Sequence, residues 1–105
     1  MENKIYGLLG LAMKAGKVCF GMDACIEQIA KKKVKLIIVA KDASEKTKQT
    51  LEFYCDKYQT PIKTWGEIMV ISKSIGKQNK AIIGIKDTNF AREIVKLING
   101  GELIG

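Results

Sequence analysis

The chain has 105 residues, one proline and no Ser/Gly/Pro-rich stretch, so we expect one domain over residues 1–105. Lys and Arg number 18 against 11 Asp and Glu, and this net charge of +7 favours anionic partners. The absence of histidine and the lack of CxxC spacing among three cysteines argue against an enzyme, a metal site or a disulfide framework. We therefore expect a cytoplasmic protein with reduced thiols and with no cofactor or small-molecule substrate. The apolar run at 6–13 is too short for a membrane span, so no membrane partner is expected.

The first half of the chain predicts two helices and two strands. Apolar spacing indicates a helix over residues 2–15, with Gly7 and Gly10 placed for close packing against a neighbour. A short strand at 17–20 precedes a second helix from residue 21 or 22 to about 32. The uninterrupted apolar run at 36–40 is typical of a central strand covered on both faces. The buried stripe of the second helix is predicted to contain Met22, Cys25, Ile26, Ile29 and Ala30.

The second half continues the alternation of strands and helices. Ser44 begins a capping-box pattern that leads into a helix over 45–58. A short strand at 61–64, a helix to about 75 and a second apolar strand at 81–85 follow, and the last helix is expected to end near residue 98. This order predicts an α/β protein, a three-layer α/β/α sandwich around a small mixed sheet of about four strands and about five helices. The pattern leaves the strand order open.

Glycine and lysine at the start of the second helix indicate a site for a polyanion. The helix that begins at Gly21 offers backbone amides that lack intrahelical partners, and Lys17 precedes it. If the strand-to-helix turns gather at one edge of the sheet, the Gly21 turn, the Lys41 turn and the loop at 77–80 form one basic rim. Lysines 31, 32, 33 and 35 add charge at the other end of the helix. A merely solvated lysine surface remains the alternative.

Almost all of the positive charge comes from lysine, since Arg92 is the only arginine in the chain. Arginine is the usual residue for bidentate reading of guanine. A chain this poor in arginine is therefore expected to bind the backbone and shape of a nucleic acid more than its base sequence.

Two segments of the chain carry a resemblance to a known family. Residues 7–49 contain a helix ending in AGK, a GKV-x-x-G turn, a lysine-rich connector and the strand KLIIVA followed by a lysine and DAS; residues 75–85 read IGKQNKAIIGI. These motifs resemble the kink-turn RNA-binding ribosomal proteins of the L-seven-Ae and L-thirty-e type, and within them the short bacterial, YlxQ-like subgroup.

The resemblance implies an α/β/α sandwich that binds structured RNA, either ribosomal RNA or another kink-turn RNA, and we expect a monomer. In such proteins the start of the second helix approaches tandem sheared G·A pairs, and the loop before the last strand touches a flipped-out nucleotide. By position the implied RNA-binding residues are Gly21, Met22, Asp23, Ala24 and Glu27 in the first region and Lys77, Gln78, Asn79 and Lys80 in the second, with Lys17 and Lys41 on the flanks.

The chain departs from the family pattern at the positions that read bases. The strongest RNA binders have G-T-N-E-x-x-K where this chain has G-M-D-A-C-I-E, which sets Asp23 and Glu27 near phosphate and removes a base-contacting glutamate at Ala24. Each lost base contact costs about 1–3 kcal/mol, so weaker RNA recognition is expected. Ser72 stands where the family usually has glycine. The alternative function is a protein-interaction adaptor on the same fold, with weak or no specific RNA binding.

Overall fold

A computed structural model of the chain describes the backbone of residues 2–104 and the side chains of residues 4–100. Its helices and strands alternate as the sequence predicts. In chain order they are α1 (Glu2–Lys14), β1 (Val18–Phe20), α2 (Met22–Ala30), β2 (Leu36–Val39), α3 (Glu45–Tyr58), β3 (Ile62–Thr64), α4 (Ile68–Ser74), β4 (Ile82–Ile85) and α5 (Thr88–Ile104). The last helix continues past residue 98, where the sequence predicted its end.

The four strands form one mixed sheet in the order β1-β4-β2-β3. β2 lies between β4 and β3, which confirms it as a central strand, and β4 runs antiparallel to both of its neighbours. The C-terminal ends of β1, β2 and β3 therefore lie at the same end of the sheet as the start of β4. We call this end of the strands the rim, formed by Gly21, Lys41, Asp42, Trp65, Gly66 and residues 76–81. The opposite end of the strands is called the distal edge, formed by Lys17, residues 31–35 and Lys86.

Helices cover both faces of the sheet, so the predicted three-layer sandwich is confirmed. The helices α1, α4 and α5 pack on one face around Leu9, Ile71 and Ile94, all fully buried. On the other face α2 and α3 pack through Ile29 and Leu51. Within the described residues, no helix has the length and apolar character needed to cross a membrane.

Side chains cap the starts of α3 and α5, and the cap at Ser44 confirms the sequence prediction. The Ser44 hydroxyl accepts a hydrogen bond from the Thr47 amide at 3.1 Å. The Asp87 carboxylate accepts one from the Phe90 amide at 2.9 Å and so caps α5.

Two packing predictions on the helices are wrong. Gly7 faces open space, whereas a Cβ on Gly10 would stand 3.1 Å from the Ser74 carbonyl oxygen, so only the second glycine permits a close approach. Ala30 was assigned to the buried stripe of α2 but is exposed, because the helix ends at this residue and the chain turns away toward the lysines.

Candidate functional site

The Gly21 turn opens the first turn of α2 to solvent at the rim. Gly21 has φ 87° and ψ 158°, a conformation that side-chain-bearing residues rarely adopt, and no side chain caps the helix. A Cβ at this position would meet no atom within 4 Å, so the space in front of the turn is open. The amides of Met22, Asp23 and Ala24 precede the first intrahelical donor, Cys25, and face a space that an anion or a base edge can enter.

One buried hydroxyl group, that of Ser72, holds the loop before β4 in place. Ser72, which is 2% exposed, accepts a hydrogen bond from the Lys80 amide at 2.7 Å and donates one to the Lys80 carbonyl oxygen at 3.3 Å. Gly76 and Asn79 both have positive φ, of 71° and 55°. The chain thereby turns sharply and presents exposed Lys77, Gln78 and Asn79 to solvent.

Direct contacts join this loop to the Gly21 turn. The Gly21 amide donates a hydrogen bond to the Ile82 carbonyl oxygen at 3.1 Å. The ammonium nitrogens of Lys77 and Lys80 lie 5.3 and 5.2 Å from the centre of the Phe20 ring, within the range of cation–π attraction. The two predicted regions therefore form one continuous surface, with two positive charges beside the open start of α2.

The Lys41 turn lies on the same edge. The Lys41 amide donates to the Gly66 carbonyl oxygen at 2.7 Å, and the Lys48 ammonium donates to the Lys41 carbonyl oxygen at 2.7 Å. The Asp42 carboxylate accepts a hydrogen bond from the Ile68 amide at 2.9 Å and so caps α4. Its charge thus lies at the positive end of a helix dipole, while the exposed Lys41 side chain extends the basic surface.

A groove lies between α4 and the loop before β4. Its volume is about 740 Å³, which is within the range of sites that bind a small ligand or one chemical group of a larger ligand. Met69 is 80% exposed at its wall, so an apolar surface stands next to the lysines. The groove is lined by Asp42, Ile68, Met69, Ser72, Lys73, Gly76, Lys77, Gln78 and Asn79.

The remaining predicted residues are divided between the two edges. Asp23 and Ala24 are exposed in the first turn of α2, and Glu27 is exposed one turn later, 3.5 Å from the Lys31 ammonium. Lys17 is not brought to the rim: its carbonyl oxygen accepts the Lys86 amide at 2.8 Å on the distal edge. The lysines from 31 to 35 lie there as well, since they precede β2.

The three cysteines are free, and two of them form a partly buried contact behind the Gly21 turn. The Cys19 and Cys25 sulfur atoms are 3.7 Å apart, and this hydrogen bond lowers the pKa of Cys19 and raises that of Cys25. Burial further raises the pKa of Cys25 and, at Cys55, raises the pKa to about 11. Both buried thiols are therefore neutral at pH 7, and Cys25 has the core position that the sequence predicted.

Sequence reasoning did not assign a role at the site to Phe20, Met69 or the Ser72 hydroxyl. Phe20 is the last residue of β1, and no residue near it in the sequence indicates that two lysines from a distant loop will lie over its ring. Ser72 was noted as a departure from the family, but its bond to Lys80 depends on the tertiary fold. Met69 lies on a helix of only seven residues, too short for a clear apolar periodicity.

No group of three or more His, Cys, Asp and Glu side chains in the described part of the chain is placed to hold a metal ion. The site offers ammonium groups, backbone amides and an apolar wall, and the carboxylates of Asp23 and Asp42 lie among them. The ammonium groups, the amides and the apolar wall favour binding of a polyanion that also carries flat apolar groups.

Comparison with known proteins matches most of the chain to one family. The model of the ribosomal protein L7Ae/L30e/S12e/Gadd45 family matches residues 3–96. The chain is 33% identical over 94 residues to a Bacillus subtilis protein named RNA-binding protein YlxQ, covering 90% of this chain and 94% of the relative. It is 38% identical over 99 residues to the protein of the same name from Enterococcus faecium, covering 94% of this chain and 95% of the relative.

A solved structure has the same fold. A protein of unknown function from Bacillus halodurans superposes with a TM-score of 0.88 at 34% identity, covering 91% of this chain and 97% of that one. The sheet and the helices described above are therefore shared over nearly the whole length of both chains.

Proposed function

The chain belongs to the ribosomal protein L7Ae/L30e/S12e/Gadd45 family, and from that premise we propose that it is a cytoplasmic, non-enzymatic RNA-binding protein that acts as one domain. Two relatives that match almost its whole length are named RNA-binding proteins. The net charge of +7 and the rim supply the electrostatic attraction that such binding requires.

One observation carries this proposal: the open start of α2 and the lysine loop form a single surface. The Gly21 amide bonds to Ile82, and Lys77 and Lys80 stand over Phe20, so free amides and ammonium groups face the same side. Helix-start amides bind phosphate or base edges, and lysines neutralise neighbouring phosphates.

We propose further that the RNA is kink-turn-like. The sharp bend of such an RNA brings two backbone segments close together, and the rim offers two adjacent regions to receive them. Asp23 and Ala24 provide fewer base contacts than the strongest family members do, so affinity is expected to come from backbone and shape. The groove beside Met69 is proposed to receive an unstacked nucleotide, whose base has an apolar face.

The test compares Lys77→Glu with Lys96→Glu, which makes the same charge change at an exposed position on α5 away from the rim. Reversing a charge about 4 Å from a phosphate costs about 1 kcal/mol per unit charge in water, so Lys77→Glu should weaken binding about tenfold or more. Affinity is measured for a kink-turn RNA, for the same RNA with its sheared G·A pairs replaced by Watson–Crick pairs, and for a plain duplex. Equal effects of the two variants, or equal affinity for all three RNAs, would refute the proposal.

A protein-interaction adaptor is the second candidate function, and the exposed carboxylates of Asp23 and Glu27 at the start of α2 favour it. These charges repel phosphate but suit a basic protein segment. A pull-down separates the two functions: partners that survive RNase treatment support the adaptor, whereas their loss supports RNA binding.

A further inference from the structure

A second row of lysines lies at the distal edge, across the sheet from the rim. Lys17 precedes β1, Lys86 follows β4 and Lys35 precedes β2, so all three lie at the same end of three adjacent strands. The Lys86 amide donates to the Lys17 carbonyl oxygen at 2.8 Å, and the Lys35 amide donates to the Ile85 carbonyl oxygen at 2.7 Å. Adjacent strands are about 5 Å apart, so the backbone segments that carry these lysines are neighbours.

The end of α2 extends this row into a surface. Val34 packs on the face of α2 and α3, and the Lys33 amide donates to the Gln28 carbonyl oxygen at 2.9 Å, so this segment lies beside the end of α2. Lys31, Lys32 and Lys33 follow the last residue of α2 there and are exposed. The dipole of α2 favours cations at its end, which accounts for these lysines but not for Lys17 and Lys86 beside the strands.

Most of these charges have no counter-ion among the side chains that the structure describes. Lys31 lies 3.5 Å from Glu27, and the Lys32 ammonium donates to the Tyr58 carbonyl oxygen at 2.9 Å. In the part of the chain that the structure describes, no ion pair involves Lys17, Lys33, Lys35 or Lys86. Like charges on adjacent strands destabilise a sheet, so the row opposes folding and a bound anion would offset that cost.

We propose that the distal edge binds the sugar-phosphate backbone of a second RNA segment while the rim holds the first; this rests on the proposed function. The distal edge carries lysine and no arginine, which suits phosphate contacts without base reading. Double-helical nucleic acid presents one charge per about 1.7 Å of its axis, a density that a lysine row can follow.

The positions of the two edges define what the second segment is. They lie at opposite ends of the strands in a molecule of 32 × 28 × 27 Å, so a helix whose axis lies across the rim does not also contact the distal edge. A second helix, or an arm of the same RNA that folds back, does reach it. The protein then bridges two parts of a folded RNA.

The test neutralises two distal lysines and compares the result with a matched pair elsewhere. Lys33→Gln/Lys35→Gln removes two exposed charges from the distal edge, and Arg92→Gln/Lys96→Gln removes two exposed charges from α5. For a plain RNA duplex, the slope of log affinity against log salt should fall by roughly 0.7 to 0.9 for each distal lysine lost, and by little in the control. Affinity for a minimal kink-turn RNA should be nearly the same in both variants.

A bridging assay completes the test. Biotinylated duplex on beads should retain a labelled kink-turn RNA when wild-type protein is added, and should not when the distal variant is added.

Equal duplex affinity and salt slope in the distal variant and the α5 control would overturn the proposal. Binding of polyglutamate, but not of duplex, at the distal edge would overturn it as well. If the rim proposal alone fails, Lys77→Glu leaves kink-turn binding unchanged while the loss of duplex binding in the distal variant remains.

Discussion

Gly21 and Ser72 are the two residues on which the geometry of the rim depends most. Gly21 adopts a backbone conformation that leaves the start of α2 uncapped. Ser72 is buried and holds the loop before β4 in position through its hydrogen bond to the Lys80 backbone amide. Neither residue carries charge, yet each determines where charged or polar groups meet a ligand.

Replacing Gly21 with alanine should reduce both stability and RNA affinity. The added Cβ meets no atom, so the expected cost of about 1–3 kcal/mol comes from the φ of 87° alone. Gly7→Ala is the matched control: Gly7 lies in α1 with open space around it, and alanine there should stabilise by about 1 kcal/mol. Chemical denaturation measures both values, and equal stability of the two variants would contradict this account of the turn.

Ser72→Ala should loosen the loop that carries Lys77 and Lys80. It leaves the Lys80 amide without its partner, at an expected cost of about 1–3 kcal/mol, and should also weaken RNA binding. Ser74→Ala is the control, because that hydroxyl bonds only to the Ile71 carbonyl oxygen of its own helix. Hydrogen exchange at Lys80 reports on the loop directly. Unchanged exchange in Ser72→Ala would show that the hydroxyl does not hold it.

At the scale of the elements, local sequence signals were sufficient where the determinants are local. The cap at Ser44 follows from neighbouring residues, and α3 begins and ends where its pattern predicts. Lys17 was grouped with Gly21 because the two are close in sequence. The strand β1 separates them by about 13 Å and places them at opposite ends of the sheet, which depends on strand direction and was not available from the pattern.

The packing of α3 on the sheet should weaken at alkaline pH through Cys55. Its pKa is raised by burial to about 11 from an ordinary 9.0, so the fold favours the neutral thiol. That contribution is fully present below pH 9 and is lost as the pH rises through 11. The stability difference between wild type and Cys55→Ala should therefore shrink from pH 8 to pH 11. Denaturation curves that keep a constant difference over this range would contradict the prediction.

At the scale of the whole molecule, the topology of the sheet brings half of the positive side chains to its two ends. Because β4 runs against its neighbours, the loop before it joins the turns that follow β1 and β2, and the lysines after it meet those that precede them. Nine of the 18 Lys and Arg residues thus lie in the rim and the distal edge, at opposite ends of the strands. This arrangement depends on strand order, which the sequence left open.

The central claim is that RNA docks on the rim, and backbone amide chemical shifts test it most directly. A kink-turn RNA is titrated into isotope-labelled protein, and the shift changes are mapped onto the chain. We predict the largest changes at residues 21–24 and 77–80, with little change in the middle of α5 around Arg92 and Lys96. Changes confined to the distal edge or to α5, with the Gly21 and Lys77 amides unmoved, would contradict the claim.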